Sequence, residues 1–280
     1  MTTLRLIRLA AALSMAAALA GCSLFGGDDE ISLEDAPPAE IFQLGEAQLA
    51  DGNAIEAAQT FNEIERLYPF SQMAKRAIIM SAFSSYTAGD VGSARSSARR
   101  YLDLYPSDKD ASYAQHLIAL TYYDNIVDVG RDQATTQRAL KALREVVSRY
   151  PDSDFARDAQ LKIDLTLDHL AGKEMAVGRY YLKRGHYTAA INRFRVVVDK
   201  YETTSQTPEA LHRMVEANLA LGLENEALAS AAVLGHNYPG SDWYANSYAL
   251  LTGRNVLPEG EDHDGFFSRV YRRVILGKWL

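Results

Sequence analysis

The sequence predicts an all-α fold, a solenoid of about five helix pairs, and two observations support this prediction. The first is composition, because 48% of the 280 residues are hydrophobic, alanine is frequent and only 8 residues are proline. The second is a Tyr-Pro pair that recurs along the chain, since self-similarity of this kind is typical of repeat proteins. The copies are Tyr68-Pro69, Tyr105-Pro106, Tyr150-Pro151, Tyr238-Pro239 and, with the proline lost, Tyr201-Glu202.

The residues before each Tyr-Pro landmark share one face of a helix. Positions twelve, eight and five residues before the proline or its equivalent lie on one side of an α-helix, and proline stops a helix. The twelfth position back is alanine in every copy: Ala57, Ala94, Ala139, Ala190 and Ala227. The other two sets are Phe61, Ala98, Leu143, Phe194 and Ala231, and Ile64, Tyr101, Val146, Val197 and Leu234. We therefore expect the second helix of each pair to bury this face, with copies two and five weaker because Ala98 and Ala231 are small.

The first helix of the best copies carries a glycine that points to close helix packing. Gly45 and Gly178 lie 24 residues before their landmarks, and a missing side chain lets two antiparallel helices approach closely. The tetratricopeptide repeat, whose unit is about 34 residues, has this pattern: a small residue, a turn, an alanine, an aromatic residue and a terminal proline. The landmarks here are 37, 45, 51 and 37 residues apart, so each interval contains extra residues.

Two intervals are long enough to predict additional structure. The 45-residue interval holds an Asp-rich stretch, 124–134, which lacks the ligand spacing of an EF-hand and is predicted to be a solvent loop. The 51-residue interval predicts a long helix from about Ser153 to Leu170 that continues past Gly172 into the first helix of repeat four. That helix would link repeats 1–3, within 39–152, to repeats 4–5, within 153–240.

The N-terminus has the features of a lipoprotein signal. Arg5 and Arg8 precede an apolar run, 9–20, which is shorter than the about 20 residues that a membrane-spanning helix needs. The run ends in a sequence that resembles a bacterial lipobox, Leu19-Ala20-Gly21-Cys22. We predict a signal peptide over 1–21 and lipid attachment at Cys22; the alternative is an ordinary signal peptide with a stray cysteine. Because Cys22 is the only cysteine, internal disulfides and multi-cysteine zinc sites are excluded.

The segments that flank the repeats differ in charge. Residues 22–38 are glycine-containing and acidic and are predicted to form a flexible tether that ends at Pro37-Pro38. After repeat five, 241–280 is predicted to contain a capping helix at 242–252, an acidic loop at 258–265 and a basic amphipathic helix at 266–280. That last helix could dock on the final repeat, on a partner or on anionic lipid.

The sequence contains no recognisable catalytic or cofactor-binding constellation. The phosphate-binding, dinucleotide-binding and nucleophile-elbow motifs are absent, and the six histidines form no metal-binding pair. Asp164 and Asp168 lie one helical turn apart and are interpreted as exposed helix charge. The net charge of −7 argues against general nucleic-acid binding. We therefore expect a protein that binds other chains, with no enzymatic activity, cofactor or metal.

These features together resemble the BamD family, repeat-containing lipoproteins of the machine that assembles β-barrel proteins in the outer membrane. The resemblance covers about residues 19–240 and rests on the lipobox, the acidic tether, Asp51-Gly52-Asn53, Tyr68-Pro69-Phe70 and the five repeats. Its most specific stretch is Glu174–Arg195, EMAVGRYYLKRGHYTAAINRFR.

The resemblance implies a location and partners. The chain would be anchored by lipid in the outer membrane and face the periplasm, with the barrel-forming subunit and accessory lipoproteins as partners. Arg184, Asn192 and Arg193 match the motif on the side that would bind the barrel-forming subunit. Unfolded barrel precursors would bind near Tyr68, Phe70 and Tyr86. Helix termination also accounts for Tyr68-Pro69-Phe70, and a surface ion pair for Arg193.

These features lead to three functional hypotheses. The first is an assembly scaffold for β-barrel proteins. The second is a pilotin-like or other periplasmic tetratricopeptide-repeat assembly lipoprotein. The third, an enzyme such as a wall-degrading lipoprotein, lacks the catalytic residues that it would need.

Overall fold

The computed structural model describes residues 33–254, and this part of the chain consists of eleven α-helices joined by short turns. The helices are α1 Pro38–Ala50, α2 Ala54–Leu67, α3 Gln72–Thr87, α4 Val91–Leu104, α5 Ala111–Tyr123, α6 Ala134–Arg149, α7 Asp154–Lys183, α8 Tyr187–Lys200, α9 Thr207–Ala220, α10 Glu224–Asn237 and α11 Asp242–Gly253. The chain divides into two compact units, and the boundary between them lies within α3. The first unit ends at Ala77 and the second begins at Ile78. The predicted all-α fold of tetratricopeptide-repeat helix pairs is confirmed.

The first unit is built on the antiparallel pair α1 and α2. Gly52 turns the chain between them in the left-handed region, with φ of 86°. Phe42 and Phe61 pack with their ring centres 5.2 Å apart, and the guanidinium of Arg76 lies 4.7 Å from the Phe42 ring centre. Both phenylalanines are buried, so this aromatic pair forms the core of the unit.

In the second unit, helices that follow one another in the sequence also pack together. The pairs are α5 with α6, α7 with α8, and α9 with α10, and α11 packs on both α9 and α10. The predicted long helix is α7, which has 30 residues, and the predicted capping helix is α11. Residues 124–133 form a helix-free connection between α5 and α6, as predicted for the Asp-rich insert.

The face predicted from the repeat offsets is the core of every helix pair. All fifteen residues at positions twelve, eight and five before the landmarks have 0% exposure. Ala98 and Ala231, the small residues for which copies two and five were expected to be weaker, are as buried as the large residues in the other copies. In copy five, Ala231 shares an apolar cluster with Val215, which supplies volume from the first helix of the pair. Ala98 shares a cluster with Ile78, Ile79 and Tyr101.

Each landmark tyrosine ends its helix in the same way. Tyr68, Tyr105, Tyr150, Tyr201 and Tyr238 are all C-cap residues, with φ between −131° and −136°. The amide of the residue three positions further on donates to the tyrosine carbonyl at 3.0–3.1 Å in every copy. Those donors are Ser71, Asp108, Ser153, Thr204 and Ser241. The same turn, used five times, therefore ends each repeat and leads the chain into the next helix.

Several predicted features lie outside the described residues. They are the signal peptide, the lipobox with Cys22, most of the tether, the acidic loop 258–265 and the basic segment 266–280. The described end of the tether differs from the prediction, because Ala36 is 6% exposed and its carbonyl accepts the Tyr68 hydroxyl at 2.7 Å. Within residues 33–254, no helix has the length and apolar character that crossing a membrane requires.

Candidate protein-binding surfaces

Two of the three residues predicted to bind the barrel-forming subunit project from α8. Gly185, with φ of 75°, turns the chain from α7 into α8. Helical periodicity then buries Ala190 and Phe194 and leaves Asn192 and Arg193 exposed. A guanidinium nitrogen of Arg193 donates to Glu174 Oε2 on α7 at 3.1 Å, and the Arg193 side chain remains 45% exposed. Arg193 therefore forms the surface ion pair that the sequence left open as an alternative.

Arg184, the third predicted residue, lies at the turn between α7 and α8. Its guanidinium carbon is 4.5 Å from the ring centre of Tyr180, and that ring is 52% exposed. Tyr181, the neighbouring ring, packs against the buried cluster of α7 and α8. Arg184 follows Glu174 by ten positions, which along a helix is a rise of about 15 Å. Arg184 and the Arg193 ion pair therefore occupy different ends of what we call the α7–α8 surface.

An ionic network next to this surface was not predicted. Arg179 of α7 donates to Glu209 of α9 at 2.7 Å, and Arg213 contacts Glu209 at 3.2 Å and Glu216 at 2.8 Å. The Arg213 guanidinium also lies 5.2 Å from the ring centre of Trp243. The spacing of Glu209, Arg213 and Glu216 by four and three residues is a signal that could have indicated it.

The two aspartates that were interpreted as exposed helix charge differ from each other. Asp164 is exposed and accepts from Gln160 at 3.2 Å. Asp168 is half-buried, and its Oδ1 accepts the backbone amide of Ser205 at 3.0 Å and the Ser205 hydroxyl at 2.5 Å. For Asp168 the interpretation was therefore wrong, because this carboxylate holds the turn that precedes α9.

The first unit contains two of the three residues predicted to bind precursors. Tyr68 is half-buried, and its hydroxyl donates to the carbonyl of Ala36 at 2.7 Å. Phe70, two residues later, is fully exposed. Helix termination and packing thus explain Tyr68, whereas neither explains an aromatic side chain in solvent at Phe70. Ile55, which is 57% exposed, is a second large apolar side chain on this unit.

Tyr86 belongs to the second unit and has a structural partner there. Its hydroxyl donates to Asp124 at the start of the 124–133 connection. Burial and the hydrogen bond to Asp124 raise the pKa of Tyr86 to about 12, so the phenol keeps its proton at neutral pH. Tyr86 therefore anchors this connection.

The described residues contain no cluster that would hold a metal ion: nowhere in 33–254 do three or more His, Cys, Asp or Glu side chains converge. Two histidines in this range contact a hydroxyl group and an aromatic ring. His212 Nδ1 lies 2.8 Å from the Ser247 hydroxyl, and His116 stacks on Phe155 with ring centres 5.1 Å apart.

Comparison with known proteins identifies the family of the chain. The family model described as "YfiO: Outer membrane lipoprotein" matches residues 34–234. The chain is 45% identical over 251 residues to outer membrane protein assembly factor BamD of Caulobacter vibrioides, covering 90% of this chain and 82% of that one. It is 39% identical over 243 residues to the factor of the same name from Rickettsia prowazekii, covering 87% of this chain and 96% of that one.

A more distant relative and a solved structure are also similar. Outer membrane protein assembly factor BamD of Neisseria meningitidis serogroup A is 27% identical over 247 residues, covering 84% of this chain and 92% of that one. The TPR2AB domain of yeast Sti1 matches at 13% identity and a TM-score of 0.40, over 86% of this chain and 93% of that one. By its match to the family model and to these relatives, the chain belongs to the BamD family of outer membrane lipoproteins.

Proposed function

We propose that this chain is an outer membrane protein assembly factor that acts as a binding scaffold without enzymatic turnover. The observation that carries the proposal is the 45% identity, over 90% of the chain, to a protein of that name. A fold of helix pairs suits this work, because stacked repeats offer an extended surface for other chains. The scaffold would work with the other members of the barrel-assembly machine.

Attachment to the membrane would depend on Cys22. A thioether-linked diacylglycerol at this residue, with a further acyl chain, gives stable anchoring, since each buried CH₂ contributes about 0.8 kcal/mol. With the anchor in the outer membrane, the repeats would face the periplasm. We expect the Cys22→Ala variant to remain folded and to leave the membrane fraction.

The α7–α8 surface is the proposed contact for the barrel-forming subunit. One of the five N–H donors of Arg193 binds Glu174. The exposed edge of the Arg193 guanidinium can bind a carboxylate of the partner. At the other end, Tyr180 and Arg184 present an exposed ring under a guanidinium, and both residue types are enriched at binding hot spots. Asn192 is exposed on the same helix as Arg193 and can add a hydrogen bond.

For precursors, the proposed contacts are Phe70 in the first unit and, separately, Tyr86 in the second. The fully exposed ring of Phe70 has no packing role to explain it, and unfolded barrel chains offer apolar side chains that it could bind. Tyr68 would act on Phe70 indirectly, because its bond to Ala36 fixes the start of the turn that carries Phe70.

Depletion in the native bacterium tests the proposed function. We expect heat-modifiable, folded porins to fall when the chain is depleted, and to recover with a plasmid copy. Normal porins together with lost secretin multimers would overturn the proposal in favour of a pilotin-like role. Cell-wall hydrolysis by the purified protein would overturn the absence of enzymatic turnover.

A matched pair of variants tests the role of Phe70. We expect Phe70→Ser to weaken cross-linking to an unfolded barrel precursor, whereas Ile55→Ser, which removes another exposed apolar side chain from the same unit, should not. Equal loss in both variants would indicate general surface hydrophobicity and contradict a site at Phe70.

A further inference from the structure

A groove in the second unit, between α4, α5 and α6, is lined mainly by cationic side chains, although the chain as a whole is acidic. It encloses about 450 Å³ and is distinct from the α7–α8 surface and from the proposed precursor contacts. We call it the basic groove. Its charged lining residues are Arg99 and Asp103 of α4 and Arg138, Lys141, Glu145 and Arg149 of α6.

Positive charge prevails in the basic groove although the whole chain has a net charge of −7. Four cationic side chains face two carboxylates there. An adjoining cavity shares Arg99 and Asp103 and adds Arg95 and Arg100 from the same helix. Clustered cations of this kind attract anionic ligands and raise their local concentration.

Contacts within the structure hold both ends of the groove in position. At one end, Arg95 lies 4.6 Å from the ring centre of Tyr122, and Arg99 donates to the Tyr122 hydroxyl at 3.3 Å. At the other end, the side-chain amide of Gln115 donates to Glu145 at 3.3 Å and accepts from Arg149 at 3.3 Å.

Two of the cations that line the groove form no ion pair with any residue that the structure describes. Arg138 and Lys141 lie three residues apart on α6, both are exposed, and neither forms an ion pair or hydrogen bond with another side chain of residues 33–254. Beneath them the floor is apolar, made of Leu102, Ile118 and Ala142. A ligand there would meet free positive charge above an apolar floor.

We propose that the basic groove binds an extended acidic polypeptide segment of a partner protein. Its carboxylates would pair with Arg138 and Lys141, and alternate apolar side chains would lie on the floor. The groove favours a peptide over a membrane surface, because a peptide can place its carboxylates at Arg138 and Lys141 and neutral side chains at Asp103 and Glu145, whereas a layer of lipid phosphates would meet both carboxylates. Gln115 and the Tyr122 hydroxyl, in contrast, can hydrogen-bond a peptide backbone.

Fluorescence anisotropy with the detergent-purified full chain tests this proposal. The probe is a short labelled peptide that alternates glutamate with leucine, and the reference peptide replaces glutamate with glutamine. We expect the acidic peptide to bind about tenfold more tightly or better, and Arg138→Glu/Lys141→Glu to remove that advantage. A carbodiimide cross-link from a peptide carboxylate should map to Lys141 by mass spectrometry.

The control carries the same charge change outside the groove. Arg144→Glu/Arg157→Glu replaces two exposed cations, one of them also on α6, and should bind the acidic peptide within about twofold of the unchanged chain. Circular dichroism on both double variants reports whether the helices persist. Equal losses in both variants, equal affinity for the two peptides, or binding of phosphatidylglycerol vesicles in place of the peptide would overturn the proposal.

Discussion

The ring of Phe194 lies so close to Gly178 that a Cβ atom on the glycine would come within 2.4 Å of it. Gly45 and Phe61 stand in the same relation in the first unit, where the corresponding distance is 2.8 Å. Both rings have 0% exposure, so neither can shift without disturbing the core packing around it. In these two repeats a large side chain on the second helix occupies the space that a glycine leaves on the first.

Gly178→Ala should therefore destabilise the fold. The added methyl group overpacks the contact with Phe194, which typically costs about 1–3 kcal/mol and exceeds the about 0.5–1 kcal/mol that alanine gains in a helix. Urea unfolding monitored by circular dichroism measures the difference.

Gly172→Ala is the matched control, because it lies in the same helix. A Cβ atom there meets only Val129 Cγ1, at an ordinary 3.7 Å. We expect this variant to be as stable as the unchanged chain or slightly more stable. A loss equal to that of Gly178→Ala would show that the cost does not come from the contact with Phe194 and would contradict the packing argument.

The repeat offsets predicted the core because burial in a helix pair follows helical spacing, and spacing is visible in a single sequence. The turn after each landmark was not predicted, although Ser71, Ser153 and Ser241 occupy its third position as helix-capping residues. Contacts between distant segments, such as Asp168 with Ser205, depend on how helices pack and have no local signature. The same holds for the basic groove, whose cations come from two helices of different repeats.

The copy without proline offers a stabilising substitution. Tyr201 ends α8 with φ of −131°, and the turn after it closes at 3.0 Å, as in the copies that contain proline, while its ψ of 32° lies below the 52–55° of those copies. Glu202→Pro should fit this turn and stabilise the chain by about 0.4–1 kcal/mol, because proline restricts the unfolded state. Thermal unfolding measures the change.

Pro151→Glu is the reverse exchange in an equivalent turn and should destabilise by a similar amount. If Glu202→Pro lowered the unfolding temperature, the backbone at Glu202 would differ from that at Pro151, and the equivalence of the five turns would be wrong.

His116 should make stability depend on pH. Burial lowers the pKa of His116 below its ordinary value of 6.5, and this effect outweighs Asp158, whose carboxylate lies 3.3 Å from Nε2 and acts in the opposite direction. Lys162 adds to the lowering. The unfolded chain therefore takes up a proton more readily than the folded one, so the free energy of unfolding should fall as the pH drops below 6.5.

Urea unfolding at about pH 7.5 and about pH 5.5 measures this dependence. His116→Gln should reduce it, whereas His186→Gln, which replaces an exposed histidine, should not. An unchanged pH dependence in His116→Gln would contradict the assignment to this residue.

The ion pair between Arg193 and Glu174 allows a structural role to be separated from a binding role. Arg193→Gln and Glu174→Gln each remove the same ion pair. Because the pair is exposed, each substitution should lower the free energy of unfolding by at most about 1 kcal/mol. If Arg193 also binds the barrel-forming subunit, only Arg193→Gln should reduce co-purification of that subunit from membranes. A lost charge pair at an interface costs about 2–5 kcal/mol, so the dissociation constant should rise by at least about 25-fold.

Glu174→Gln serves as the control, because it frees Arg193 without removing its charge. It should leave co-purification unchanged or strengthen it, since a neutral amide holds the guanidinium less strongly than a carboxylate does. Equal losses in the two variants would mean that the ion pair only holds α7 to α8. Undiminished co-purification in Arg193→Gln would place the contact elsewhere on the chain, with the Tyr180 and Arg184 end of the α7–α8 surface as the next position to test.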